Sequence, residues 1–325
     1  MKAAVVNTLG PAPVYADFVE PQPEDGAVVA AVEAAALKNI DRALVSGRHY
    51  SSSTLPLPMV AGVDGVARLD DGRLVYAAAV APFGMMAERA LIDPNRVVEL
   101  PEGFDPVTAA AVPNPGISAF YSLQEVGHIR AGSRVLILGA TGVAGSMAVM
   151  LAKSYFGAGR VVAAGRNTER LDWLRTVGAD EVIELGIDDV TERVAAEHDA
   201  QPFDIVIDFL WGEPTEQVLA ALANEDLQAS FHLTRFVQVG ESAGPSINLP
   251  AGTMRSAGIE LCGLGPASIP ADAQARITTE ALPRLFAMAA DGRLPIDTRV
   301  YPLSDVESLW TAREPSGTRV ILVPQ

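Results

Sequence analysis

The pattern of hydrophobic and polar positions divides the chain into two kinds of segment. Up to about residue 110, short apolar runs broken by proline and glycine, such as residues 27–37, 59–69 and 72–80, predict irregular antiparallel strands. From about residue 133, apolar strands alternate with amphipathic helices. This alternation is typical of a parallel sheet covered by helices on both faces.

Six strands are predicted in the second part, at residues 134–138, 160–164, 181–185, 204–208, 235–239 and 258–262. The helices predicted between the first five cover residues 145–156, 168–177, 188–197 and 213–223, and they are long enough for crossover connections. Six strands in two halves indicate an α/β fold with a Rossmann doubly wound parallel sheet. After a helix over residues 275–292, strands at 298–303 and 318–323 should return to the first domain. We expect a catalytic domain of residues 1–112 and 266–325, with a nucleotide-binding domain at 113–265 inserted in it.

The composition narrows the possible partners. The 325 residues carry a net charge of -16, so the overall field disfavours nucleic acid and anionic membrane surfaces. The single cysteine, Cys262, excludes an intramolecular disulfide. The N-terminal apolar run is short for a signal peptide, and Pro82 and Gly84 interrupt the most apolar stretch, residues 76–87. We therefore expect a cytoplasmic protein with a small-molecule substrate.

A glycine-rich turn follows the first strand of the predicted parallel sheet. It has the spacing G-x-x-G-x-x-G from Gly139 to Gly145 and leads into a helix. Glycines let the backbone approach a pyrophosphate, and the amino end of the helix attracts its charge. We interpret the turn as a dinucleotide site rather than only a tight junction. The candidate contacts are Gly139, Thr141, Gly142, Val143 and Ala144.

The end of the second strand indicates which dinucleotide is bound. An NAD site usually has an acidic residue there for the ribose hydroxyls, whereas a cation accommodates the 2′-phosphate of NADP. In this chain Gly165 is followed by Arg166, and Arg170 lies one helical turn further on. These residues predict NADPH. A solvated Arg166, with Glu169 binding the ribose of NADH, is the alternative.

Three segments resemble the medium-chain dehydrogenase/reductase superfamily, and in particular its zinc-free quinone oxidoreductase branch. Residues 35–50, AALKNIDRALVSGRHY, are similar to the pattern A-x-x-x-N-x-x-D-x-x-x-R-x-G-x-Y. Residues 58–69 contain the glycine-flanked acidic residue of a second family segment, and residues 109–123 are similar to a third. The resemblance covers nearly the whole chain. It implies a β-rich GroES-like catalytic domain and a homodimer.

The resemblance also implies which residues lie beside the nicotinamide. Asn39 would hydrogen-bond the ribose or the substrate oxygen, and Tyr50 would donate a proton or a hydrogen bond. Because the interval from Gly47 to Tyr50 is one residue longer than in the family, His49 is an alternative to Tyr50. Asn39 as a loop-capping amide and Tyr50 as a packed aromatic are the nonfunctional interpretations. The carboxyl ends of the late strands add three backbone candidates for the cofactor site: Val239, Gly240 and Gly263.

The same segments predict a metal-independent enzyme. Zinc-dependent members of the superfamily have a cysteine near the Asn39 position and a His-Glu pair where this chain has Val63 and Asp64. A catalytic zinc needs three protein ligands, and the loss of two leaves an inadequate set. We interpret the four histidines as surface or packing residues. Cys262 lies in an apolar strand with no visible base, so we do not expect it to be a nucleophile.

Three functions remain open at this point. The first is hydride transfer from NADPH to a quinone or related activated carbonyl. The second is reduction of the C=C bond of enones or 2-alkenals, which uses the same residues. The third is a non-catalytic NADPH-binding sensor or structural protein. The apolar last strand of the parallel sheet, residues 258–264, needs a cover and therefore also favours a homodimer.

Overall fold

The computed structural model describes residues 1–224 and 230–325. They form two compact units, one of residues Met1–Asn114 and Ile277–Gln325 and one of residues Pro115–Arg276. The second unit is thus an insertion in the sequence of the first. The domain bounds expected from the sequence, with a nucleotide-binding domain at 113–265, stay a prediction. Within the described ranges, no helix combines the length and the apolar character that a bilayer span requires.

The strands of the described residues are numbered in chain order. They are β1 Lys2–Val6, β2 Val14–Asp17, β3 Val28–Ala36, β4 Met59–Val60, β5 Asp64–Arg68, β6 Leu74–Ala78, β7 Arg89–Ile92, β8 Val98–Glu99, β9 Arg134–Leu138, β10 Arg160–Gly165, β11 Glu181–Glu184, β12 Ile205–Asp208, β13 Leu233–Gln238, β14 Gly258–Gly263, β15 Asp297–Pro302 and β16 Thr318–Val323.

The α-helices of the described residues are numbered in the same way. They are α1 Asn39–Val45, α2 Pro106–Ala111, α3 Pro113–Tyr121, α4 Val143–Met150, α5 Thr168–Val177, α6 Val190–Ala200, α7 Glu213–Ala221, α8 Ala251–Ser256, α9 Ala271–Arg276, α10 Leu282–Ala290 and α11 Val306–Trp310. Helices α3, α4 and α9 each continue through a wider π-helical turn.

The second unit contains a parallel sheet in the order β11-β10-β9-β12-β13-β14. This order is that of a doubly wound Rossmann sheet, and it confirms the predicted fold class. Every residue of β9 is buried, as expected for a central strand with helices on both faces. The carboxyl ends of β9, β10, β12 and β13 therefore lie along one edge, which is where such sheets bind ligands.

The first unit contains antiparallel strands, as the apolar runs predict. One sheet has the order β2-β1-β4, and the other has the order β15-β16-β3-β5-β6-β8, with β7 also paired to β3. The C-terminal strand β16 returns to this sheet, where Ile321 pairs with Ala36. Ala30, Val32 and Ala35 of β3 and Ala67 of β5 belong to one apolar core with Trp310 of α11. The pairing of β3 with β5 also brings the start of α1 close to the start of β5, where the unit's buried charges lie.

The structure differs from the predicted elements at a few places. Helix α4 begins at Val143, two residues before the predicted start, because Gly142 has an extended backbone (φ −78°, ψ 167°) and serves as its N-cap. Strand β13 begins two residues early, at Leu233. Helices α1, α2, α3 and α11 were not predicted, nor was α8 between the last two parallel strands.

Candidate active site

The glycine turn joins β9 to α4. Gly139 has a φ of 78°, a conformation that favours glycine, and its N–H and that of Ala140 both donate to the carbonyl of Ala164 at 2.9 Å. The Gly142 N–H then donates to the Gly139 carbonyl at 3.0 Å. These bonds tie the turn to the end of β10 and place it at the carboxyl edge of the sheet.

The amino end of α4 has the properties of an anion site. Gly142, Val143 and Ala144 are half-buried, and the first intrahelical bond of this turn runs from the Ser146 N–H to the Gly142 carbonyl at 2.8 Å. The amides that precede Ser146 have no helical carbonyl before them to bond. A β-carbon on Gly142 would approach only the Gly139 carbonyl, at 3.4 Å, so the outer side of the turn is open. A pyrophosphate fits these amides and the positive end of the helix dipole.

Two glycines keep this turn compact. A β-carbon on Gly165 would overlap the side chain of Thr141, which is a buried residue of the turn. A β-carbon on Gly145 would overlap the Gly139 carbonyl oxygen and lie 2.7 Å from Cα of Ala140. Both glycines therefore allow close packing of helix and strand, whereas Gly142 leaves room for a ligand.

The two arginines after β10 have different surroundings. Arg166 is exposed, directly after Gly165. Arg170 is half-buried: its guanidinium carbon lies 3.9 Å from the ring centre of Trp173, and its Nη2 lies 3.4 Å from Oγ of Ser146 on α4. The side chain of Arg170 is thus held close to the glycine turn. The rival Glu169 is exposed in the first turn of α5.

The ends of β12 and β13 are joined by backbone hydrogen bonds. The N–H groups of Val239 and Gly240 donate to the Asp208 carbonyl at 2.8 and 3.1 Å. A β-carbon on Gly240 would lie 2.6 Å from the Phe209 carbonyl, whereas one on Gly263, at the end of β14, would have ample space. Gly263 and the backbone of Val239 therefore remain accessible candidates, and Gly240 has a packing role as well.

Sequence reasoning missed Asp208, which organises the loop after β12. Its buried carboxylate accepts N–H bonds from Leu210 and Trp211 at 2.7 and 3.0 Å and a bond from the Thr215 hydroxyl. Burial raises the pKa of Asp208 despite these donors. The carboxylate holds Trp211 at a φ of 57°, a conformation that is unusual for a bulky residue. An acidic residue at a strand end, before a short turn, was the available signal.

Asn39 and Tyr50 both lie on the surface of the first unit. Asn39 is the first residue of α1 and is exposed. Tyr50 is 74% exposed, and its ring centre lies 4.1 Å from that of His49. Nδ1 of His49 accepts the Ser51 N–H at 3.2 Å, which orients the imidazole. Both Tyr50 and His49 can therefore meet a ligand, and the choice between them stays open.

The sequence analysis also missed a buried ion-pair cluster beside Asn39. Nζ of Lys38 lies 2.8 Å from Oδ1 of Asp64 and 3.7 Å from Oδ2 of Asp41, and the Lys38 side chain is 1% exposed. Burial opposes its charge, but Asp41 and Asp64 outweigh burial and raise the pKa of Lys38. In the family pattern two residues separate the Asn from the Asp. The residue at that distance from Asp41 is Lys38, not Asn39, and this spacing was the available signal.

Comparison with known proteins shows which proteins this fold and site resemble. A family described as zinc-binding dehydrogenase matches residues 143–248. The chain is 29% identical to the quinone oxidoreductase of Thermus thermophilus, whose structure was also determined with NADPH, over 99% of this chain and 100% of that one, with a TM-score of 0.80. It is 26% identical to a probable NADPH-dependent quinone reductase of Emericella nidulans over the full length of both. Over its full length the chain is thus similar to quinone reductases of the medium-chain dehydrogenase/reductase superfamily.

These similarities support an oxidoreductase enzyme. A shorter similarity, 31% identity over 64% of this chain, is to an NADPH-dependent alkenal/one oxidoreductase of Arabidopsis thaliana, of which the chain spans 57%. The family match at 143–248 lies wholly in the Rossmann unit. It therefore does not include Asn39, Val63 or Asp64, the positions on which the zinc argument depends.

The potential metal ligands among the described residues are scattered. In residues 1–224 and 230–325, no three His, Cys, Asp or Glu side chains converge as a metal site would require. Cys262 of β14 is partly buried, and burial raises the pKa of its thiol, which disfavours the thiolate. His198 and His232 are neighbours, with ring centres 6.3 Å apart, and both bond the backbone of Phe203.

Proposed function

We propose that this oxidoreductase is a zinc-free, NADPH-dependent reductase that transfers hydride to a quinone or a related activated carbonyl. The observation that carries the proposal is the open amino end of α4, with Arg170 anchored beside it on Ser146 and Trp173 and Arg166 exposed next to it. In a chain with a net charge of -16, these local donors supply the attraction that a phosphorylated dinucleotide needs. NADPH is also the cofactor in the names of the quinone reductase relatives.

The roles of the chain's residues follow from this proposal. When bound, NADPH supplies the hydride, and the protein positions the reactants and excludes water. The amides of Val143 and Ala144 would hold the pyrophosphate, Arg166 and Arg170 would hold the 2′-phosphate, and the backbone near Val239, Gly240 and Gly263 would contact the nicotinamide half. Asn39 donates a hydrogen bond to the substrate oxygen. Tyr50, or His49 beside it, delivers the proton that completes the two-electron reduction.

The metal independence is supported by the side chains near Asn39. Val63 is apolar, and Asp64 already accepts a bond from the Lys38 ammonium at 2.8 Å. A zinc ion at this place would compete with an internal cation for that carboxylate. We therefore propose that hydride transfer proceeds without a Lewis-acidic metal and that the substrate oxygen is polarised by hydrogen bonds alone.

Reduction of an activated C=C bond is the second candidate. The Arabidopsis relative acts on alkenals and enones by its name, and a tomato relative that is 32% identical over 58% of this chain is a 2-methylene-furan-3-one reductase. In that reaction the hydride goes to the β-carbon and the proton to the α-carbon. The same residues would serve, so the difference between the two functions lies in the substrate.

Three further proposals complete this function. We place the enzyme in the cytoplasm as a homodimer, with the edge strand β14 as the region that pairs. The substrate is a small molecule, since the strongly negative charge disfavours nucleic acid and anionic lipid surfaces.

The test is one panel of acceptors with NADPH. We expect steady loss of NADPH absorbance with quinones or with enones, identical rates before and after treatment with a chelator, and no stoichiometric zinc by elemental analysis. Asn39→Ala should slow turnover with every acceptor. Product analysis then distinguishes a hydroquinone from a saturated ketone. Tight NADPH binding without turnover of any acceptor would overturn the proposal and favour a non-catalytic nucleotide-binding protein.

A further inference from the structure

Lys38 is a buried cation between two segments that each present an exposed residue. We propose that Lys38 is a positioning residue, a resident ammonium that ties the Asn39 end of α1 to the turn before β5 and so orients Asn39 and Val63 toward the substrate. This inference rests on the proposed function, because Asn39 and Val63 matter only if the first unit binds the substrate.

The contacts of Lys38 are those of a filled cation site. Its Nζ donates to Oδ1 of Asp64 at 2.8 Å and to the Asp64 carbonyl at 3.4 Å, with Oδ2 of Asp41 at 3.7 Å. The Lys38 and Asp41 side chains are 1% and 0% exposed, and that of Asp64 is 12% exposed. A buried charge of either sign requires a partner, so the ammonium and the two carboxylates form one unit.

Asp41 extends this unit to the backbone on both sides. Its Oδ2 accepts the N–H of Lys38 at 3.0 Å, and its Oδ1 accepts the N–H of Val63 at 3.0 Å. A carboxyl group that accepts at both oxygens acts as a carboxylate, although burial, with the charge of Asp64, raises the pKa of Asp41 above its usual value. The nearby Lys38 charge favours the ionised form. Without the ammonium, the bonds that join α1 to residue 63 would depend on an uncompensated buried charge.

The chain neighbours of this unit are Asn39, which has a proposed role in substrate binding, and Val63. Asn39 follows Lys38 and is exposed, and Val63 precedes Asp64 and is 40% exposed. The positions of both are thus set by groups adjacent to them in the chain. Because hydride transfer depends on the substrate being held to within about 1 Å, loss of this support should lower the rate more than it weakens cofactor binding.

The surroundings argue against a merely incidental ion pair. Arg319 of β16 is a second buried cation, and its Nη1 donates to the Leu37 carbonyl at 3.3 Å, directly before Lys38. Tyr76 of β6 lies against Asp64, and burial together with that carboxylate raises the pKa of Tyr76, so it stays a neutral phenol. Charged and polar groups from four elements therefore converge on the segment that precedes Asn39.

Chemical rescue tests the proposal. Lys38→Ala removes the three outer methylenes and the ammonium, which together match propylammonium, whereas Lys38→Met fills the space without a charge. We expect kcat of Lys38→Ala to fall by about ten- to a hundredfold, with the NADPH dissociation constant within about twofold of wild type. Propylammonium chloride should restore kcat and the melting temperature of Lys38→Ala. It should restore neither in Lys38→Met, and 1-propanol at the same concentration should have no effect.

Three outcomes would overturn the proposal: wild-type kcat in folded Lys38→Ala, propylammonium that restores the melting temperature but not kcat, or an NADPH affinity that falls in parallel with kcat. If Lys38→Ala does not fold, Asp64→Asn keeps the shape and removes one charge, and it should lower kcat without changing NADPH binding. Failure of the proposed function is separable, since it would abolish turnover in the wild type and leave the propylammonium effect on melting intact.

Discussion

Gly145 on α4 lies directly against the carbonyl oxygen of Gly139 at the end of β9. A β-carbon at position 145 would overlap that oxygen and lie 2.7 Å from Cα of Ala140. The third glycine of the turn is therefore required by the approach of helix to strand, and the first by its positive φ. This close approach fixes the direction of α4, so that its amino end lies at the carboxyl ends of the strands.

Gly145→Ala should consequently destabilise the protein and weaken NADPH binding. The contact is with backbone, which cannot move aside cheaply, so we expect a loss of about 1–3 kcal/mol in the free energy of unfolding. Denaturant unfolding and NADPH titration measure the two effects. Gly252→Ala is the matched control, because Gly252 in α8 is exposed and has open space around its Cα. Equal free energies of unfolding and equal NADPH affinities for Gly145→Ala and Gly252→Ala would contradict this role of Gly145.

Much of the Rossmann unit could be predicted from the sequence. The predicted helix 168–177 is α5 as observed, because Asn167 caps its first turn through its side chain and Gly178 ends it at a φ of 139°. Strand β9 also has its predicted bounds, since a run of five apolar and basic residues is followed at once by glycine. Where no cap or glycine marks the boundary, as at the start of β13, the prediction was wrong by two residues.

The candidate site was less predictable in the first unit. The glycine turn is a local signal and appears in the sequence, whereas the Lys38 cluster depends on strand pairing that brings Asp64 against α1. Lysine is rarely fully buried, so a lysine beside an asparagine gives no reason to expect a core position. The one clue was the interval to Asp41. Asn39 and Tyr50 stay predictions, and their exposure is compatible with contact to a substrate.

His198 should make stability depend on pH. It lies on α6, and its Nδ1 accepts the Phe203 N–H at 3.1 Å, so the neutral ring is the bonded form. Burial, followed by the charges of His232 and Arg134, lowers the pKa of His198. A lowered pKa means that the stabilisation is complete above the unfolded value of about 6.5 and is lost as pH falls below it, because the unfolded chain takes up the proton first.

His198→Asn is the variant that checks this, since the amide oxygen can accept the Phe203 N–H at any pH. We expect the wild-type free energy of unfolding to fall below that of His198→Asn as pH is lowered from about 7 to 5. His128→Asn is the matched control, because His128 is exposed and has a φ of 52° that asparagine adopts readily. Parallel pH profiles of the free energy of unfolding for wild type and His198→Asn would contradict the role of His198 in the pH dependence of stability.

The edge strand β14 should form the dimer contact. It lies at the end of the six-stranded sheet, and Leu261 on it is 38% exposed. Lysine at an edge discourages strand pairing, so Leu261→Lys should weaken the dimer at least about tenfold, or about 1.4 kcal/mol. Sedimentation at micromolar concentration measures this. Val300→Lys is the control on β15, an exposed edge strand of the other unit, and should leave the dimer unchanged. A wild-type monomer would exclude the homodimer.

Cofactor preference should depend on Arg166 and Arg170 together. The 2′-phosphate brings nearly two negative charges to a protein whose net charge is -16, so guanidinium groups must supply the attraction. Arg166 is exposed and free to turn toward a ligand, whereas Arg170 is held between Trp173 and Ser146. Arg170 is thus preorganised, and Arg166 has to be ordered when the cofactor binds. Each contact to a phosphate of this kind is worth about 1.5–3 kcal/mol.

Arg166→Ala should therefore raise KM for NADPH at least about tenfold and leave KM for NADH nearly unchanged. Arg170→Ala should also raise KM for NADPH, and the double variant should lose the preference for NADPH. Arg175→Ala is the matched control, since Arg175 lies on the same helix, is exposed and pairs with Asp172 at 2.7 Å. Steady-state kinetics with NADPH and with NADH measure these changes in KM. A wild-type enzyme that uses NADH equally well, or an Arg166→Ala variant that weakens both cofactors alike, would instead favour Glu169 as the ribose ligand.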